Sequence, residues 1–93
     1  MPYALVTHVN LEGRPREEGE RLLNEQIVPT VKQAPGFQRG VWLRTQDGLT
    51  GMGVVVFDTE ESATSAREAM RTQRPADAPP ITSSEMFEVT ALA

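Results

Sequence analysis

His8 is the one side chain of this sequence that titrates near neutrality in its unperturbed state, and it is the best general base the chain offers. It stands on an alternating stretch with Val6 and Asn10 on its own face, where a lone histidine is ordinarily a hydrogen-bonded or surface residue. The single tryptophan, Trp42, has Arg44 two positions on, so both side chains leave the same face of any strand that holds them. Gly51 and Gly53 fall on the facing segment. An indole over glycines is ordinarily packing, and it is also the pattern of a hollow that admits a ligand.

Other chemistries lack their residues. There is no cysteine, hence no disulfide, no thiolate metal site and no thiol nucleophile. One histidine and dispersed carboxylates give no metal-ligand spacing. Glu85 and Glu88 fall on opposite faces of the last strand and cannot form a carboxylate pair. The sequence holds no G-x-G-x-x-G, no phosphate-binding loop and no nucleophile elbow.

The elements that must position these residues are legible from pattern. Pro35 to Asp58 reads as two strands folded back at Asp47-Gly48, since glycine accepts a positive φ without a Cβ clash. A loop of two or four residues pairs Thr45 with Thr50, Leu43 with Met52, Val41 with Val54 and Arg39 with Val56. On the other face it pairs Arg44 with Gly51, Trp42 with Gly53, Gly40 with Val55 and Gln38 with Phe57. Tyr3 to Leu11 alternates as a first strand. Pro15 to Gln33 has helical spacing through Leu23, Ile27, Val31 and Ala34, with Pro29 predicting a kink, and Ala34-Pro35-Gly36 ends it. Asp58-Thr59-Glu60-Glu61 predicts a capped helix to about Thr72, with Asp58 as the cap and Thr59 competing. Ile81 to Leu92 is the last strand.

The order β-α-β-β-α-β, with right-handed crossovers, predicts a ferredoxin-like α+β plait over residues 1–93. It is a four-stranded antiparallel sheet in the order 4-1-3-2 with both helices on one face. The helices leave the other face bare, with Val41, Leu43, Met52 and Val54 on it. Such a patch calls for a cover, and a second copy of the chain is the simplest one, giving a homodimer.

Composition narrows the classes further. A chain of 93 residues is one domain with one modest core. The net charge of −4, with basic residues scattered among acidic ones, argues against nucleic acid as a partner. No apolar run approaches the ~20 residues of a membrane span. The first ten residues carry no basic segment or cleavage signature of a secretory signal, and a chain without cysteine fits a reducing cytoplasm.

Along this frame lie Arg14-Pro15 after the first strand, Val28-Pro29, Pro35-Gly36-Phe37, Trp42-Leu43-Arg44 and Phe57-Asp58-Thr59-Glu60-Glu61. Together they resemble the antibiotic biosynthesis monooxygenase-like group of the dimeric α+β barrel superfamily. The resemblance implies two sheets paired into a barrel with the helices outside. It implies activities that range from cofactor-free oxidation of polycyclic phenols to haem degradation and small-ring isomerisation. Haem-degrading members use an Asn in the first strand, a Trp, and a His on the second helix. Asn10 stands in the first strand here, but the second helix has no histidine, which disfavours haem. For the quinone-forming members, Trp42, Arg44 and Asn10 are partial equivalents of the substrate-binding set.

Two functions follow. One is a cofactor-free oxygenase or isomerase of a small aromatic or polyketide-like compound, with Trp42 stacking, Arg44 holding an oxyanion and His8 moving the proton. The other is a non-catalytic dimeric module that binds a small molecule or supports another protein.

Overall fold

A computed structural model describes all 93 residues. The strands are β1 (Tyr3–Asn10), β2 (Phe37–Arg44), β3 (Thr50–Phe57) and β4 (Ile81–Glu88). They form one antiparallel sheet in the order β2-β3-β1-β4, which is the predicted plait. Between β1 and β2 run α1 (Arg16–Leu22), a π-helical turn (Leu23–Ile27) and α2 (Val28–Lys32); α3 (Glu60–Thr72) joins β3 to β4. No helix is long and apolar enough to cross a membrane.

The hairpin turn is built as its sequence directs. Gly48 takes φ 75°, and its N–H donates to the Thr45 carbonyl at 2.9 Å. Asp47 Oδ1 accepts from the Thr45 hydroxyl at 2.6 Å and from the Leu49 N–H at 2.9 Å. These bonds hold the Asp47 carboxyl below its usual range, the Thr45 hydroxyl contributing most. From this turn the register runs as expected through Trp42 opposite Gly53 to Arg39 opposite Val56. It then slips. A bulge places Phe37, not Gln38, opposite Phe57, which brings a second phenylalanine to the core in place of an amide.

The core lies between the sheet and the helices. Leu5, Val55, Phe57 and Ala63 are fully buried there, and Tyr3, Val31, Phe37, Trp42, Met70 and Met86 pack around them. Phe57 is 1% exposed and Ala63 0%, so α3 lies directly on the sheet at Ala63. The helix starts one residue later than the favoured reading. Thr59, the competing cap, accepts from the Ser62 N–H at 3.1 Å, and no Glu61 contact reaches back. Asp58 instead lies over Gly36, where an added Cβ would stand 2.2 Å from its Oδ1. Gly36 at φ 80° is therefore required twice, by its backbone and by what crosses it.

The first helix is one continuous piece, as its single apolar phase predicts, but its response to Pro29 is a widened turn. The Val28 N–H reaches back to the Leu23 carbonyl, five residues away. Proline has no N–H to donate and its ring crowds the preceding turn; a π turn just ahead of it gives that ring room. No residue of α1, the π turn or α2 is fully buried. Only the Val31–Ala34 end packs onto the core.

Two further expectations about the last strand are corrected. The strand ends at Glu88 rather than Leu92. Its neighbour β1 begins at Tyr3, and after the Val89 N–H bonds the Pro2 carbonyl at 3.0 Å there is no strand left to pair with. The tail then crosses the helix-free face to β2, where Arg39 donates to the Ala93 carbonyl at 3.2 Å. A bulge opposite His8 and Val9 also turns Ile81 to the same side as Ser84, against simple alternation.

Candidate functional site

The sheet separates the residues that the sequence groups as one acting set. Tyr3, Leu5 and Thr7 of β1, Val55 and Phe57 of β3, and Trp42 and Arg44 of β2 point toward the helices. His8 and Asn10 alternate onto the opposite, helix-free face. A single cleft holding His8, Trp42 and Arg44 does not form.

On the helix-free face, His8 pairs in register with Met52 and Ser83, and its Nδ1 lies 2.9 Å from the Ser83 hydroxyl. That is the one side-chain hydrogen bond the imidazole makes. Asn10 is exposed, and its side-chain oxygen accepts from the Glu12 N–H at 2.9 Å. The asparagine thereby closes the turn that leaves β1, an Asx turn of the kind this residue favours.

On the helix side, the Trp42 indole lies flat along the hairpin. An added Cβ at Gly53 would stand 3.0 Å from its Nε1, and one at Gly40 would stand 3.1 Å from the far edge of the ring. The two glycines that accommodate the ring are Gly53 and Gly40. Gly51, the other glycine of the expected pattern, instead makes room for Val9 and Leu11, whose side chains would lie within about 3 Å of its Cβ. Trp42 is half-buried against the core, and its indole N–H donates to no protein group.

Arg44 does line a cleft. Because α1 stands off the sheet, a hollow of about 220 Å³ remains between α1, the β1–α1 turn, the end of β2 and the 77–79 segment. Arg44 and Arg14 line it with two acidic residues, Glu18 and Asp77, and Leu11 and Leu22 give its apolar surface. The Arg44 guanidinium lies over Gly48, where an added Cβ would stand 3.0 Å from its Nη2. Arg14 also fixes the far wall by donating to the Asp77 carbonyl at 2.7 Å and to the Ala78 carbonyl at 3.5 Å. Glu18 is not ion-paired. Its place in the first helical turn suggests a service to the helix dipole, and only the fold shows that it lines one hollow with Arg44. Trp42 does not line this hollow.

A second, larger hollow of about 520 Å³ runs along the seam of α3 and β4. Arg67, Arg71 and Arg74 line it with Met70, Ile81 and Ser84. The spacing of these arginines is readable in the sequence, but only the seam shows that they converge.

No family model matches the sequence, and no curated protein matches it; the likeness is one of structure. The fold is that of the antibiotic biosynthesis monooxygenase-like proteins. SnoaB, a cofactor-independent oxygenase from Streptomyces nogalater, superposes with a TM-score of 0.67 at 16% identity, over 98% of this chain and 95% of that one. A haem-degrading protein from Mycobacterium tuberculosis superposes with a TM-score of 0.69 at 21% identity, over 100% and 99%. A Streptomyces coelicolor monooxygenase bound to nanaomycin D superposes at 0.64 with 14% identity, over 98% and 89%. One plait thus carries more than one chemistry, and residues must decide among them.

Proposed function

We propose that this chain is a dimeric, monooxygenase-like module that holds a small aromatic acid or phenol in the cleft between α1 and Arg44. The observation that supports it is that Arg44 and an unpaired Glu18 line one hollow, together with Leu11 and Leu22. A volume of about 220 Å³ falls below the ~300–1,000 Å³ of sites for drug-sized ligands, which favours one or two rings over a polyketide-sized compound.

The chemistry this reading assigns is deprotonation of a phenol or enol, with Glu18 accepting the proton and Arg44 stabilising the oxyanion. An electron-rich anion of that kind can react with oxygen itself, which is the sense in which such an enzyme needs no cofactor. His8 lies on the other side of the sheet and takes no part in this cleft; its remaining candidate role is with Ser83. Trp42 supports the hairpin behind the cleft, and stacking on substrate is left to a ligand that reaches past Arg44.

The dimer belongs to the same reading. Val41, Leu43 and Phe87 are 48%, 50% and 47% exposed on the helix-free face, with Val6, Met52 and Val54 half-buried beside them. The tail reaches only the end of this face near Ala4, Val56 and Arg39. A second sheet would cover the rest.

The test is titration of single-ring phenols and benzoates, followed by tryptophan fluorescence and by oxygen uptake. Saturable binding that weakens about tenfold in Arg44→Ala is expected, from loss of a charge-assisted hydrogen bond. Glu18→Gln should bind but not turn over. Binding in wild type without any oxygen uptake or isomerised product would favour the non-catalytic module. Absence of saturable binding, with Arg44→Ala changing nothing, would defeat the cleft altogether.

A further inference from the structure

We propose that the seam between α3 and β4 is a second binding site, for an aromatic or aliphatic anion that carries a phosphate or carboxylate head. The site is separate from the Arg44 cleft and does not depend on it.

The charge arrangement carries this inference. Arg67 and Arg71 lie one helical turn apart on α3, and Arg74 follows just past its end, so three guanidinium groups border one groove. Two of them are tied only to neutral backbone. Arg67 donates to the Ser84 carbonyl at 2.7 Å, and Arg74 donates to the Pro79 carbonyl. The one carboxylate in reach is Glu68, 3.7 Å from Arg71, in a pair whose two side chains are about 70% exposed. Such an exposed pair neutralises little. Three cations with one weak counter-charge converge on one groove of a protein whose net charge is −4.

Two other observations agree. Partial burial and, secondarily, nearby Arg14 push the Arg74 guanidinium below its ordinary pKa. Ser84 lines the same groove, and its buried hydroxyl finds no partner in the protein, an orphaned donor that an oxyanion could satisfy. The held positions of Arg67 and Arg74 mean that part of the side-chain ordering is already done before a ligand arrives.

The groove also selects the body of the ligand. Met70 and Ile81 give it an apolar surface, and about 520 Å³ lies within the range of small-molecule sites. A head group alone would leave that surface unused. An anion with a ring or short chain uses both, the guanidinium groups forming forked bonds to the head.

The experiment is a titration of the intact protein with phenyl phosphate, benzoate, inorganic phosphate and benzyl alcohol. Amide shifts of residues 67–74 and 81–84 serve as the readout. Phenyl phosphate or benzoate should saturate these shifts at low salt, each at least about tenfold more tightly than benzyl alcohol. Whichever of the two binds better identifies the head group. Arg71→Gln should weaken binding about tenfold with little change in melting temperature, because that side chain is exposed and its one partner, Glu68, is held in an exposed pair that contributes little. Raising salt should weaken the wild type and the variant toward the same value. The proposal fails if neither anion saturates these shifts by about 10 mM, a concentration near the limit of weak specific binding. It also fails if Arg71→Gln binds as the wild type does. Arg44→Ala should leave this titration unchanged, which separates the site from the cleft.

Discussion

The two helical layers meet the same sheet in different ways. α3 comes down on alanines, with Ala63 fully buried and Phe57 sealed beneath it. The first helix carries larger residues, Leu22, Leu23, Ile27 and Val28, yet buries none of them fully. Bulk on the helix sets the distance to the sheet, and a small-residue contact stabilises by closeness rather than by area. The open side is where the Arg44 cleft lies. The closest packing is thus under Ala63 of α3, while the Arg44 hollow opens beside the first helix and the larger hollow lies at the outer seam of α3 with β4.

That contrast can be broken at either side, and the largest effect is expected under α3. Phe57→Ala should cost about 3–5 kcal/mol in denaturant unfolding, enough to unfold a domain of this size. Ile27→Ala, on the stand-off helix, should cost about 1 kcal/mol, since the side chain is only half-buried. Equal losses from the two substitutions would show that the first helix is as tightly seated as α3.

Next in size is the contrast between the two faces of the sheet. If a second copy covers the helix-free face, Val54→Asp places an unpaired carboxylate in the interface. Sedimentation at micromolar concentration should then show a wild-type dimer and a monomeric variant. A wild-type monomer across that range would remove the dimer from the reading.

The smallest effect belongs to the turn. The Asp47 carboxyl titrates below its ordinary value in the folded chain, so its stabilisation is present above the unfolded value near 3.8. It is lost as pH falls through the lowered folded value. Asp47→Ala should therefore lower the melting temperature slightly at pH 7, with the gap to wild type closing in strong acid. A gap that widens on acidification would reverse the sign and refute this account.

Much of the fold was legible because it rests on local rules. Asp47-Gly48 fixes the turn, and the turn fixes the cross-strand partners as far as Arg39 and Val56. The apolar phase from Leu23 to Ala34 continues through Pro29, so one helix was readable there. The π turn was not, because it answers to a ring clash that any of several backbone adjustments could relieve. The bulges at Gln38 and Thr82 were equally hidden: each is chosen by what the bulged strand gains across the sheet.

The candidate site was legible in parts and misassembled as a whole. Alternation puts Trp42 and Arg44 on one face of β2, and His8 and Asn10 on one face of β1, from sequence alone. Whether those two faces are the same face depends on the register of β1 against β3, which pairs His8 with Met52 and Val6 with Val54. That register is long-range. The chain determines each strand's own two sides by a period of two, but only the folded sheet decides which sides join. It decided that His8 looks away from Trp42, that Glu18 and Arg44 line one hollow, and that Arg67, Arg71 and Arg74 share a groove with β4.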